Sequence, residues 1–408
     1  VSWMNKMFFI FIISYLILYS GMHLYFYLGF RHIVPSGYPW IASGYPVFAA
    51  FMIAAPVLSR YFERTGLFYL QKIFAVTGYI WMGILFLTIS GMFFLDVIRF
   101  VLFLLSKLRP GMMPFTVSGR SRFLISMVFA LIISVYGYYE AGNITTGRIV
   151  FRSSLLPEDR DIFRIVQISD VHLGVMSGAS RLARITRSIK TLSPDIIVST
   201  GDLVDGQMGK INGVSELMKE LEPDSGKYAV TGNHEFYTGI GHAVEFTERA
   251  GFTVIRNSFV EPCSFISIAG VDDPAGKMLK ANGEAMVKET DILRSMPEET
   301  LRILLKHQPV IQDGSADLFE LQLSGHIHGG QIFPFHLFTR LAYKIRPGLS
   351  RADRDSWIYV SRGTGTWGPP VRFLSAPEVT VIDIVRCSGN IKFGHLPRGR
   401  DMLDEKGR

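Results

Sequence analysis

Between Lys6 and Arg31 the chain runs for 24 residues without a charged side chain, through a stretch rich in Phe, Ile, Leu and Tyr. About 20 apolar residues in helical form cross the hydrocarbon core of a bilayer, so this run reads as a membrane span. It is too long for the apolar region of a secretory signal, about 7–15 residues, and no small-x-small cleavage site follows it cleanly. Three further runs follow: 41–58 with Pro46 and Pro56 near its ends, 73–94 with an apolar continuation at 100–105, and 123–139. Asp96 and Arg99, three residues apart, are spaced to pair on one helical face. One such run alone is as well explained by a buried core helix. Four of them within residues 1–140, which hold only ten Lys or Arg and three acids (Glu63, Asp96, Glu140), predict an all-α, multi-pass transmembrane domain.

Composition agrees. Charged residues make up 19% of the 408, against about 25% in soluble chains, and mean hydropathy is +0.26. Composition thus disfavours a wholly soluble enzyme and a disordered chain alike. The net charge of +7 belongs to residues 1–140, because residues 141–408 carry 32 basic and 32 acidic side chains. The excess therefore reads as basic loops beside membrane spans rather than as a nucleic-acid surface. With four spans, Lys6, Arg60, Arg64, Lys72, Arg148 and Arg152 lie on the side of the C-terminal part, and Arg31, Lys107, Arg109, Arg120 and Arg122 lie opposite. Six against five leaves the side of the membrane open. Cys263 and Cys387 are too few for a disulfide framework or a thiolate zinc site.

After Glu140 the texture changes. Residues 141–160 read as a linker or an edge strand. From 161 to 386, β-rich runs (162–168, 195–200, 227–231, 252–256, 264–270, 301–305, 319–323, 357–361, 378–384) alternate with helical stretches (179–192, 213–221, 242–250, 284–294). That alternation predicts an α/β domain. Residues 387–408 read as a polar tail.

Polar residues that bind metals collect just after these strands. Strand 162–168 leads into Asp170 and His172, 195–200 into Asp202, 227–231 into Asn233, His234 and Glu235, 301–305 into His307, and 319–323 into His326 and His328. Ligands gather at the carboxyl ends of strands in α/β sheets, and five of the chain's ten histidines fall in these short segments. Carboxylate and amide oxygens with imidazole nitrogens suit zinc, iron or manganese. If the strands stay extended, residues i and i+2 point the same way, and Asp170 with His172, or His326 with His328, would aim at one place. Each segment alone is common by chance; all of them in order are not.

This order of segments, D-x-H, G-D, G-N-H-E, H and G-H-x-H, resembles the calcineurin-like metallophosphoesterases over about residues 160–385. The resemblance implies a two-sheet β-sandwich flanked by helices. It implies two divalent metal ions, manganese favoured over zinc, iron or nickel. Asp170, His172, Asp202 and His328 would hold one, and Asp202, Asn233, His307 and His326 the other. His234 would be the catalytic acid, with Glu235 behind it where many members carry Asp. Hydrolysis would proceed by a metal-activated hydroxide. The stretch Tyr359–Phe373 with Gly325–Gln331 is similar to a membrane-associated bacterial subgroup, which includes general phosphodiesterases and enzymes cleaving the pyrophosphate of UDP-2,3-diacylglucosamine.

Softer features accompany the motifs. Arg362 and Arg372, in a glycine-rich stretch, are candidates for binding substrate phosphate, or simply part of a connection between strands. Residues 332–346 mix aromatics with Arg340, Lys344 and Arg346, a composition that suits lipid headgroups. His23 reads as a packed imidazole. Three function classes follow: a membrane-tethered phosphodiesterase or pyrophosphatase acting on a lipid or lipid-linked nucleotide, a nuclease-type phosphodiesterase, and a transport or sensing protein with a regulatory phosphoesterase domain. The neutral charge of residues 141–408 disfavours the nuclease, and the first class is favoured.

Overall fold

The first four elements are helices: α1 (Trp3–Phe30), α2 (Pro39–Arg64), α3 (Phe68–Leu108) and α4 (Gly119–Gly142). They belong to a computed structural model that describes residues 3–108, 117–206, 213–278, 287–388 and 392–396. All four are long and apolar enough to cross a membrane. Pro46 and Pro56 both lie inside α2. At 41 residues, α3 spans about 60 Å, twice the roughly 30 Å of a hydrocarbon core.

The chain divides into two compact units, residues 1–140 with 368–373, and residues 141–367 with 374–408. In the helical unit, Tyr19, Phe26, Tyr45, Leu85, Met92 and Phe123 form the buried centre, while outer positions such as Leu18, Leu24, Val47 and Ile132 are exposed. Small residues bring backbones together, as in membrane helix pairs generally. A Cβ on Gly78 of α3 would come within 2.9 Å of Ala55 Cβ on α2.

Polar side chains tie the helices. Asp96 accepts from Arg122 of α4 at 2.6 Å and from Tyr25 of α1 at 2.6 Å. Its hydrogen-bond donors thus come from neighbouring helices; Arg99, to which the sequence spacing pointed, makes no hydrogen bond to it among the described residues. His23 Nδ1 donates to the Tyr19 carbonyl at 2.9 Å, and its Nε2 accepts the Trp81 indole N–H at 3.0 Å, so both ring nitrogens serve packing.

The second unit is built on two mixed sheets. Its elements are β1 (Thr145–Ser153), β2 (Ile162–Ile168), α5 (Ala179–Lys190), β3 (Ile196–Ser199), α6 (Val214–Lys219), β4 (Lys227–Ala229), α7 (Asn233–Thr238), α8 (Ile240–Arg249), β5 (Thr253–Val254), β6 (Ser258–Cys263), β7 (Ile266–Gly270), α9 (Ala275–Met278), α10 (Glu289–Ser295), β8 (Leu301–Leu305), β9 (Leu321–Ser324), α11 (His336–Ala342), β10 (Gly348–Arg351), β11 (Trp357–Val360), β12 (Glu378–Arg386) and β13 (Gly394–Leu396). One sheet has the order β13-β1-β12-β2-β3-β4-β5 and the other β10-β11-β9-β8-β7-β6. In the first, β2, β3, β4 and β5 are parallel; in the second, β7, β8, β9 and β11 are.

The period-2 alternation of the strands builds two cores. Ile165, Ile196, Val198, Ile268, Ile303, Leu305 and Leu323 pack between the sheets. Val166, Ile168 and Ile197, on the opposite face of the first sheet, pack against Leu182, Ile185 and Ile189 of α5 and Phe246 of α8. Two sheets around a shared core with helices outside are the α/β architecture expected from the sequence. Residues 145–153, read above within a linker or edge strand, form β1 between β12 and β13. Phe151 there stacks on Phe393, with ring centroids 4.1 Å apart. Part of the expected helix at 284–294 lies outside the described residues; the described part is α10.

Replacing Asp96 by Ala is expected to lower the stability of the full-length protein in detergent by about 1–3 kcal/mol, the usual range for a charged hydrogen-bonding group, with Asp96→Asn intermediate. Thermal unfolding measures this; an unchanged midpoint for both would show that the Asp96 cluster does not hold the helices.

Candidate metal centre

The segments after β2, β3, β4, β8 and β9 all end at one place. Their backbones leave the extended conformation at once. Asp170, His172, Asp202, His326 and His328 have φ between 49° and 72°, five of the nine non-glycine residues with positive φ among the described residues. The expectation that Asp170/His172 and His326/His328 would share a side by strand alternation is therefore corrected: β2 stops at Ile168 and β9 at Ser324. Left-handed turns, not the pleat, aim these side chains. Such conformations cost free energy and persist where surroundings enforce them.

The enforcement is visible. Glu235 is buried, and its carboxylate accepts three backbone N–H groups: Asp202 at 3.0 Å, Gly232 at 2.8 Å and Val204 at 3.0 Å. It pins the turn after β3 to the turn after β4. Asp202 Oδ1 in return accepts the His234 N–H at 2.8 Å. The Asp170 carboxylate accepts the His326 N–H at 2.9 and 3.1 Å, joining β2 to β9 across the two sheets. At Gly325 a Cβ would overlap Asp170 Oδ2 and Ser169 Oγ, so only glycine lets these loops meet.

Among the described residues three donor groups result, two of them built from the expected ligands: Asp170, His172 and His328, and Asp202, His307 and His326, with His172, Asp205 and His234 as the third. In the first, His172 Nε2 and His328 Nε2 are 3.0 Å apart, and His328 Nε2 is 3.5 Å from Asp170 Oδ1. In the second, His307 Nε2 lies 3.1 Å from each of Asp202 Oδ2, Asn233 Oδ1 and His326 Nδ1. Asp202 Oδ2 is also 3.8 Å from His172 Nε2, so it stands between the clusters. His307 Nδ1 donates to the Thr200 carbonyl at 2.8 Å, which leaves Nε2 as the nitrogen facing the other donors.

The buried carboxylates and imidazoles shift one another's protonation. Burial pushes Asp202 up, but His307, His234 and His172 outweigh it and hold the carboxyl well below its usual range. Burial pushes His307 down, but Asp202, Asp170 and Asp273 hold it well above the ordinary imidazole value. Burial, aided by cationic His307, drives His326 down to about 3, so it stays a neutral ligand. Asp170 is raised, chiefly by burial. A buried convergence of carboxylate oxygens, an amide oxygen and ring nitrogens spaced about 3 Å apart fits divalent cations bound at about 2.1 Å, and these residues pass that test.

The structure brings together the seven residues expected to bind metal, and sets His234 beside them, its ring 4.6 Å from that of His172. It adds one residue that sequence reasoning passed over. Asp205 Oδ1 contacts His234 Nδ1 at 2.8 Å, and its Oδ2 lies 3.7 Å from His172 Nδ1. The signal was present as a second Asp three residues after Asp202. Trp367 and Tyr237 flank His234 with ring centroids at 5.9 and 5.6 Å. Arg362 is engaged by Glu378, with Nε to Oε2 at 2.8 Å. Arg372 falls in the helical unit, fully buried, its N–H donating to the Gly137 carbonyl at 2.9 Å.

The comparisons agree with this site. The family model for calcineurin-like phosphoesterases matches residues 163–330. An uncharacterized metallophosphoesterase of Aquifex aeolicus is 36% identical over 259 residues, 63% of this chain and 98% of that protein. The Bacillus subtilis metallophosphoesterase YkuE, also uncharacterized, is 34% identical over 65% of this chain and 97% of its own length. A Danio rerio protein called transmembrane protein with metallophosphoesterase domain is 33% identical over 64% of this chain and 62% of that one. The chain belongs to the calcineurin-like metallophosphoesterase family, and so to the metal-dependent phosphoester hydrolases.

Glu235→Ala leaves three buried N–H groups without their acceptor, at roughly 1–3 kcal/mol each. We expect loss of bound metal and a lower unfolding temperature, with Glu235→Gln milder; elemental analysis and calorimetry check both, and normal metal content in the Ala variant would contradict this role. Metal affinity should also depend on pH. In the metal-free protein the raised pKa keeps a proton on His307, and a cation must displace it. Affinity should therefore fall as pH drops, beginning above the ordinary imidazole range, and titration calorimetry across pH 5–9 reads the sign.

Proposed function

We propose that this chain is a multi-pass membrane enzyme that hydrolyses a phosphodiester or pyrophosphate bond, on a lipid or lipid-linked nucleotide substrate such as the UDP-2,3-diacylglucosamine class suggested by the subgroup resemblance. The observation that carries the reading is the pair of adjoining donor clusters with Asp202 between them and His234, braced by Asp205, alongside. The four membrane-length helices support a substrate that stays in the bilayer, as does the transmembrane relative.

Asp170, His172, Asp202 and His328 would hold one cation, and Asp202, Asn233, His307 and His326 the second, with manganese favoured. When bound, such ions offset the charge on phosphoryl oxygens and lower the pKa of water. The chain's own residues do the rest. Asp202 joins both sets, so its loss disrupts both. Asp205 takes the hydrogen bond of His234 Nδ1, which fixes Nε2 as the atom that hands a proton to the leaving oxygen. Trp367 and Tyr237 cover the imidazole on two sides. A departing alkoxide needs that proton, whereas a nitrophenolate departs nearly unaided.

The test uses the full-length protein in lipid nanodiscs with manganese, comparing an aryl phosphodiester with its monoester before and after chelation. Diester cleavage lost on chelation is expected, with Asp202→Asn losing both metal and turnover. His234→Ala should lose about 10²–10⁴-fold on an alkyl diester, the span of a general-acid step, and much less on a nitrophenyl one. Turnover of monoesters alone, or equal losses on both leaving groups, would overturn the reading.

A further inference from the structure

Helix α11 has no buried residue, although it follows the His326–His328 turn by only a few residues. Leu337 and Leu341 are four apart, and Phe338 and Leu341 three apart, so all three share one face. That face is exposed: Leu337 by 50%, Phe338 by 58% and Leu341 by 86%. A helix normally turns such a stripe into the core. The other side of the segment is firmly seated: a Cβ on Gly330 would overlap the His336 backbone, and Tyr343 lays its ring 5.4 Å from that of His326. The outward apolar face is thus fixed by the loop that carries the metal ligands.

The charge nearby has one sign. Arg340, Lys344 and Arg346 are exposed, and none forms an ion pair with an acid among the described residues. No Asp or Glu occurs from Leu321 to Ala352. Only Asn143 and Ile144 separate α4 from β1. Three backbone steps reach about 11 Å at most, so the unit is tethered directly to a helix of membrane-crossing length.

We propose that α11 and the basic residues after it are a lipid-binding surface, which seats the catalytic unit on an anionic bilayer with the apolar face at the headgroup–acyl boundary. Apolar contact and anionic attraction are the two terms that bind interfacial helices. The proposal deepens the reading of a membrane hydrolase and rests on it for its purpose: a surface backed by the metal-ligand turn would receive a lipid substrate next to the site. The lipid contact itself is tested separately.

The experiment uses the full chain with Cys263→Ser and Cys387→Ser, carrying one environment-sensitive fluorophore on Leu341→Cys or, as a control, on Glu245→Cys, an exposed site on α8. Each is reconstituted in vesicles of phosphatidylcholine with or without phosphatidylglycerol, and quenched by headgroup-level spin-labelled lipid. We expect quenching at 341 several-fold above 245, weakened without phosphatidylglycerol and weakened again when Arg340, Lys344 and Arg346 are changed to Glu. Equal quenching at 341 and 245 overturns the proposal, as does crosslinking of 341 to a second copy of the chain in place of lipid contact. Turnover of a water-soluble diester, measured on each sample, should be unchanged by the label and by Leu341→Glu. Its absence in the wild type would sink the hydrolase reading and leave the lipid contact to stand or fall on quenching alone.

Discussion

One buried carboxylate holds the candidate metal centre in shape. Glu235 gathers the N–H groups of Asp202, Val204 and Gly232, and through them fixes two turns from two strands. Those turns supply Asp202 and Asn233, and Asp202 in turn takes the His234 N–H. These three hydrogen bonds hold the loops together without needing a bound cation. Burial, and then the Asp202 charge, raise the pKa of Glu235, opposed by the N–H groups of Val204 and Gly232 and by His307. The centre is therefore a set of loops locked by hydrogen bonds, whose remaining lone pairs converge.

Much of this was legible in the sequence, and the reasons differ from place to place. The parallel strands β2, β3, β8 and β9 announced themselves because each is a short run dominated by Ile, Leu and Val, with few polar interruptions such as Arg164, Arg302 and Gln322. The ligands followed because each sits directly past such a run. β1 was harder, since Thr145, Thr146, Arg148 and Arg152 give it a polar look; it is stabilised by pairing with β12 over nine residues, from a partner more than 200 positions away. No local signal carries that information. Asp205 was passed over for a related reason. Its spacing was visible, but its role depends on where His234 arrives, and only tertiary structure says that.

The helical unit shows the same division between local and tertiary information. Apolar runs gave the helices, and length alone gave their capacity to cross a bilayer. Spacing along one helix made Arg99 legible as a neighbour of Asp96, whereas its hydrogen-bond donors Arg122 and Tyr25 come from packing. In a medium without water, a carboxylate takes the best-oriented donors that packing offers. His23 illustrates the opposite case: an ionisable residue in an apolar span that turns out to join α1 to α3 through Trp81.

The left-handed backbone at Asp170, His172, Asp202, His326 and His328 has an evolutionary consequence. Apart from glycine, that region of conformational space is best tolerated by Asn, Asp and His, which are also side chains with oxygen or nitrogen to offer a metal. Backbone sterics and coordination chemistry thus select from the same short alphabet at these positions. A descendant freed from catalysis would still be held to Asn, Asp, His or Gly there by the turns alone. Fold and chemistry thus pull in one direction at these five positions, and a substitution that suits one suits the other.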